Sequence, residues 1–179
     1  MRMGWIGSLG SVKDRGENGT VVASIVWRER LKEFTREKRF KTRSVAGTLA
    51  IAGTIAEMLS APRMIVLRGE LGAGKTTLVK GWLESLGAAK AEEVTSPTFT
   101  LVHEYAAAKG KVYHLDLYRL ETERELAALG LEEMADELGS LVLVEWGEKF
   151  PSVMERADAE VAMTHLEGDE RSLWVRWRE

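Results

Sequence analysis

Gly69-Glu70-Leu71-Gly72-Ala73-Gly74-Lys75-Thr76 sets glycines, a lysine and a hydroxyl at the spacing G-x-x-x-x-G-K-[ST]. Glycine lets a backbone curl until successive N–H groups face inward toward phosphate oxygens, and a helix starting at the lysine adds the positive end of its dipole. In that geometry Lys75 reaches the β and γ phosphates. The Thr76 hydroxyl binds Mg²⁺, which takes hard oxygen ligands and keeps several waters. Such a phosphate loop also needs a carboxylate at the end of a neighbouring buried strand to hold the metal or its waters. Glu145 follows Leu141-Val142-Leu143-Val144, and Asp116 ends Val112-Tyr113-His114-Leu115. The cleaner apolar run favours Glu145 for the metal shell. Asp116 reads as a second metal-shell or water-positioning group, or as an ion-pair partner of Arg119. Between loop and carboxylates, Thr95-Ser96-Pro97-Thr98-Phe99-Thr100 groups four hydroxyls around a proline. Such a segment either senses a γ-phosphate as a switch or simply turns into a strand.

These residues need a strand before the loop and a helix after it. Met64-Ile65-Val66-Leu67 reads as the buried strand, and Leu78, Val79, Trp82, Leu83 and Leu86 recur at helical spacing before Gly87, a C-terminal cap. An earlier helix is capped by Thr42 or Ser44, carries Val45, Leu49, Ala52, Ile55, Ala56 and Leu59, and is followed by Pro62. Downstream, strands are expected over 98–105 and 111–117 with Lys109-Gly110 turning between them, then one helix within 123–138. Leu141 to Val144 has the continuous apolar character of a strand covered on both faces. Residues 160–166 and 173–177 alternate like a hairpin closed at Glu167-Gly168-Asp169-Glu170. Strands separated by helices imply an α/β fold, a mainly parallel sheet with antiparallel strands at its margin.

The chain has 179 residues and no cysteine, which excludes disulfides, Cys-ligated metal and a Cys nucleophile. Apolar runs fall far short of the roughly 20 residues needed to cross a bilayer, and no apolar signal segment stands at the N-terminus. A soluble, cytoplasmic protein without membrane partners is expected. The formal charge of −3 hides an asymmetry: residues 1–43 sum to +6 and residues 44–179 to −9. Residues 1–20 read as a loose tail, and Val26 to Arg43 as a solvated arm, a short exposed helix or a contact for nucleic acid or another acidic partner. The expected division is a basic, poorly ordered extension over 1–38 and a nucleotide-hydrolysing domain over 39–179.

Gly69 to Thr77, Ser96-Pro97-Thr98-Phe99-Thr100-Leu101-Val102, His114-Leu115-Asp116-Leu117-Tyr118-Arg119-Leu120 and Leu143-Val144-Glu145-Trp146, in this order, resemble the TsaE (YjeE) family of bacterial P-loop ATPases. The similarity runs from about Phe40 to the C-terminus. Glu70 departs from it, where aspartate is the family's residue. The resemblance implies a three-layer P-loop NTPase sandwich that binds ATP and Mg²⁺. It also implies a role in threonylcarbamoyladenosine formation at position 37 of tRNAs reading codons that begin with A. In that family the protein acts on the TsaD–TsaB complex, meets tRNA through that complex, and supports its repeated turnover by ATP hydrolysis. Carried over, Gly69 and Leu71 to Thr77 hold the phosphates, with Lys75 also catalytic, and Thr76 and Glu145 hold magnesium. Asp116 aids hydrolysis, Ser96, Pro97 and Thr98 form the switch, Trp146 lies beside the nucleotide, and Thr42 or Ser44 lies near the adenine.

Other chemistries fit less well. A GTPase would carry Asn-Lys-x-Asp, and the only asparagine, Asn18, precedes the loop. A small-molecule kinase is the main rival and would need lid arginines over the phosphoryl group, for which Arg119 and Arg124 are the candidates. A nucleotide-dependent binding module with little turnover alone is partly compatible with the ATPase reading. His103, His114 and His165 show no metal spacing and read as packing or hydrogen-bonding residues on strands. Of the six tryptophans, Trp146 stands out as a site residue.

Overall fold

The computed structural model describes residues 34–59 and 63–179; the basic arm up to residue 33 and the expected helix-ending Pro62 lie outside the described residues. Residues Phe34–Glu179 form one unit. Its sheet has seven strands in the order β1-β7-β6-β2-β5-β4-β3. These are β1 (Arg36–Thr42), β2 (Arg63–Arg68), β3 (Val102–Ala107), β4 (Gly110–Asp116), β5 (Leu141–Glu145), β6 (Ala159–His165) and β7 (Arg171–Trp177). The centre, β6-β2-β5-β4, is parallel. The pairs β1/β7, β6/β7 and β3/β4 at the margins are antiparallel.

Two helical layers cover this sheet unequally. On one face lie α1 (Val45–Met58) and α2 (Lys75–Ser85), whose Ile55, Leu78 and Trp82 share a core with Ile65, Leu67, Leu143, Val161 and Leu173. On the other lie α3 (Glu123–Ala127), α4 (Leu131–Asp136) and α5 (Pro151–Arg156), with Leu126, Leu131 and Val153 against Met64, Val66, Leu115, Val142 and Val144. That second core takes no residue from β6, β7 or β1. The sandwich is therefore three layers deep over β2, β5 and β4. Of these, β2 and β5 are buried on both faces and read as continuous apolar runs.

Four local readings differ from the sequence expectation. Residues 36–42, part of the expected arm and its boundary at 38, form an edge strand paired along its whole length with β7. Its charges are met by neighbours: Arg39 stacks on Trp174 at 4.7 Å, and Lys41 and Arg43 each reach Glu170 at 2.9 Å. The hydrogen bond from Lys41 holds the Glu170 carboxyl below the usual carboxylate range. The strand expected from Thr98 starts only at Val102, because Leu101 N–H donates to Pro97 O at 2.6 Å and Leu101 adopts φ 67°. The helix expected within 123–138 is two short helices broken at Gly130, whose φ is 69°. Finally, α5 and the 3₁₀ turn Gly147–Lys149 carried no periodic signal of their own.

Candidate nucleotide site

The phosphate loop leaves the C-terminal end of β2 and returns as α2. Its curl depends on glycine at two places in particular. A Cβ on Gly69, at φ 145°, would stand 2.4 Å from Met163 O, and Gly74 enters the helix at φ 102° beside the Arg171 side chain. Ala73 N–H donates to Glu70 O at 3.1 Å, folding the loop on itself. The Lys75 ammonium donates to Gly69 O at 2.6 Å and Glu70 O at 3.0 Å, and the Trp146 ring lies 4.0 Å away. Burial pushes the Lys75 amine below its ordinary value, opposed by the negative charges of Glu145, Glu148 and Asp116.

The two carboxylates arrive side by side because Asp116 on β4 and Glu145 on β5 are register partners at the ends of parallel strands. Glu145 is buried, and its Oε1 accepts from Thr76 Oγ1 at 2.8 Å. Asp116 is buried too; its Oδ2 accepts from Ser96 Oγ at 2.6 Å and Thr98 Oγ1 at 2.7 Å, and its Oδ1 from Tyr118 N–H at 3.0 Å. It therefore tethers the Ser96–Thr98 segment. Arg119 makes no ion pair with it; the guanidinium lies over the exposed Phe99 ring at 4.5 Å.

Leu71, Gly72, Gly74, Lys75, Thr76 and Thr77 line one cavity of about 350 Å³ together with Ser96, Thr98, Asp116, Glu145 and Trp146. Tyr118 and Arg171 complete the lining. Thr42, Gly69, Ala73 and Pro97 are not part of it. The Thr42 hydroxyl donates instead to Ser44 O at 3.1 Å at the start of α1, and its register partner, Arg171, faces the cavity in its place. Ala73 and Pro97 are buried, and neither Arg119 nor Arg124 lines the cavity.

Besides Trp146 and His114, which the sequence reading named, Lys149, Glu148 and Arg171 at the site escaped it. The turn after β5 ties the site together: Trp146 sits at φ 62°, a left-handed conformation that costs a non-glycine residue roughly 1–3 kcal/mol. Lys149 donates to the carbonyls of Leu117, Tyr118 and Leu120 at 3.3, 2.6 and 2.6 Å, pinning the segment after Asp116. Burial raises the Glu148 carboxyl above its ordinary value. His114 Nε2 lies 2.9 Å from Glu145 Oε1. Its position two residues before Asp116 on a strand places both on one face, a period-two signal present in the sequence. Arg171 and Lys149 reach the site through tertiary folding alone.

The donor set is one lysine, several backbone N–H groups, hydroxyls and carboxylates, which suits a polyphosphate and a hard divalent cation. Residues 42–173 match the family described as threonylcarbamoyl adenosine biosynthesis protein TsaE. A Nostoc sp. protein described as tRNA threonylcarbamoyladenosine biosynthesis protein TsaE is 44% identical over 107 residues, covering 58% of this chain and 64% of its own length. The chain thus spans just under two thirds of that relative. The Bacillus subtilis protein of the same description is 35% identical over 138 residues, covering 77% of this chain and 84% of its own. The crystal structure of Bacillus subtilis YdiB superposes with a TM-score of 0.62 at 28% identity, covering 80% of this chain and 87% of that one. The strand–loop–helix carrying Lys75, the paired carboxylates and the match over residues 42–173 together place the chain in the TsaE family.

Proposed function

We propose that the protein is a Mg²⁺-dependent ATPase that acts on the TsaD–TsaB complex to support threonylcarbamoylation of adenosine 37 in tRNA, in the cytoplasm. The observation that carries this reading is the convergence of Lys75, Thr76, Asp116 and Glu145 on one cavity at the tip of the phosphate loop. Thr76 and Glu145 are the residues that would hold the metal, since they offer hard oxygens within 2.8 Å of each other. The ion, when bound, would supply positive charge against the charge developing on the phosphoryl group.

The chain's own groups supply the rest. Two of the three N–H donors of Lys75 go to loop carbonyls, which leaves the third for a phosphate oxygen, and its burial strengthens that contact. Trp146 limits water on one side of the amine. Asp116 fixes the Ser96 and Thr98 hydroxyls, which line the cavity and would turn toward a γ-phosphate when it is present. Asp116 itself, once freed of one hydroxyl, accepts from the attacking water and orients it. Leu71 and Tyr118, which line the cavity, and Phe99, next to Thr98, are exposed, and a partner protein would cover them. Docking there would order the switch segment, so hydrolysis by the isolated chain is expected to be slow.

The test is ATP turnover by the purified protein, alone and with TsaD–TsaB and tRNA, beside Thr76→Ala. Low turnover alone, stimulation by the complex and loss of about 100-fold or more in the variant are expected, in line with removing one positioned charge-stabilising group. Phosphoryl transfer to a small acceptor without any effect of the complex would replace this reading with a kinase.

A further inference from the structure

We propose that His114 is a positioning residue for Glu145, fixing which carboxylate oxygen faces a bound divalent cation. The inference rests on the ATPase reading of the same cavity. Both side chains lie in the interior, His114 at 0% and Glu145 at 4% side-chain exposure. The imidazole Nε2 approaches Glu145 Oε1 at 2.9 Å, and Thr76 Oγ1 approaches the same oxygen at 2.8 Å. An ionised carboxylate only accepts, so the proton of a neutral ring sits on Nε2. The opposite tautomer would set two lone pairs against each other.

Two donors on Oε1 leave Oε2 as the carboxylate's free oxygen. Glu145 is the last residue of β5, and the imidazole and the Thr76 hydroxyl together hold its Oε1 in one orientation. The arrangement has a cost. Among the described residues His114 Nδ1 is buried without a hydrogen-bond partner, and a histidine that served only as packing would be replaceable by an apolar side chain that leaves no orphaned nitrogen. Among the described residues, the one polar contact the ring makes is with Glu145. Groups that hydrogen-bond a metal ligand from behind typically change metal affinity or activity by about 10–100-fold when removed.

His114→Gln keeps an N–H near the Nε2 position, whereas His114→Asn keeps polarity but is too short to reach Glu145, and His114→Leu removes the donor. ADP binding is measured by calorimetry with Mg²⁺ and with chelator, and ATP turnover with the partner complex. Expected for Leu and Asn is an about 10–100-fold loss of the Mg²⁺-dependent part of ADP binding and of turnover, with Mg²⁺-free binding within about 2-fold of the unsubstituted protein. Gln should restore most of both. The inference is overturned if Asn performs as well as Gln, or if Mg²⁺-free and Mg²⁺-dependent binding fall together. If the unsubstituted protein shows no Mg²⁺-dependent binding, the ATPase reading fails with it; normal binding there and in all three variants would sink the role of His114 alone.

Discussion

Lys75 carries its charge in a place that withholds water from it, and its surroundings answer with three carboxylates and two carbonyl oxygens. The same burial acts on Glu148 with the opposite sign. Its raised carboxyl binds a proton more tightly in the folded chain than in the unfolded one. The resulting stability is fully present below the ordinary value of 4.5 and is lost as pH rises through the higher folded value. Glu148→Gln removes that titration while keeping the size of the side chain. Melting temperatures of both proteins between pH 4 and 8 should show the variant gaining on the parent as pH rises. A difference independent of pH would mean that the carboxyl is not desolvated. At this scale the sequence singled out Lys75, Thr76, Asp116 and Glu145 by their spacing, and the structure brings all four to one cavity. Glu148 and Lys149 stayed hidden because a carboxylate and an amine in a turn look like any surface pair until the fold sets them against backbone groups.

Among the elements, α1 and α2 pack closely because Gly81 faces α1. A Cβ there would stand 2.6 Å from Leu49 O and 2.9 Å from the Ala52 Cβ. Gly81→Ala sets a helix-propensity gain of about 1 kcal/mol against an overpacking cost of about 1–3 kcal/mol. With backbone as the obstacle, the cost should prevail, and urea unfolding should show a lower midpoint. An increase would mean that the helices can separate without loss. The strands β2 and β5 were legible because burial on both faces leaves an unbroken apolar signature. The start of β3 was not. Whether Thr98 continues a strand or bends to Asp116 depends on a carboxylate that lies 18 residues away. The break at Gly130 was equally hidden, since an isolated glycine is tolerated within a helical pattern.

For the whole molecule, the antiparallel margin is what residues 36–42 complete. Of the +6 on residues 1–43, residues 36–43 contribute +4, and those charges lie on or beside an edge strand with Glu170, Glu179 and Trp174 as partners. The basic half of the charge asymmetry is thus largely structural, and charge on an edge strand also discourages sheet-to-sheet association. A chain beginning at Phe34 should bind Mg²⁺-ADP as the full one does. A chain beginning at Ser44 would uncover β7 along its whole length and strip Phe40 from the core, so size-exclusion chromatography should show aggregation and calorimetry weakened binding. Equal behaviour of the two chains would show β1 to be dispensable.

By itself the sequence determined the phosphate loop, its carboxylate partners, the α/β alternation and the family resemblance. Each of these is written in short-range spacing, where glycine freedom, strand periodicity and helix caps act. Only the tertiary structure decided that residues 36–42 form a strand, that Arg171 and not Thr42 lines the cavity, and that His114 meets Glu145. Those outcomes depend on which residues distant in the chain become neighbours. That choice is made by burial of the whole apolar surface, and no local pattern carries it.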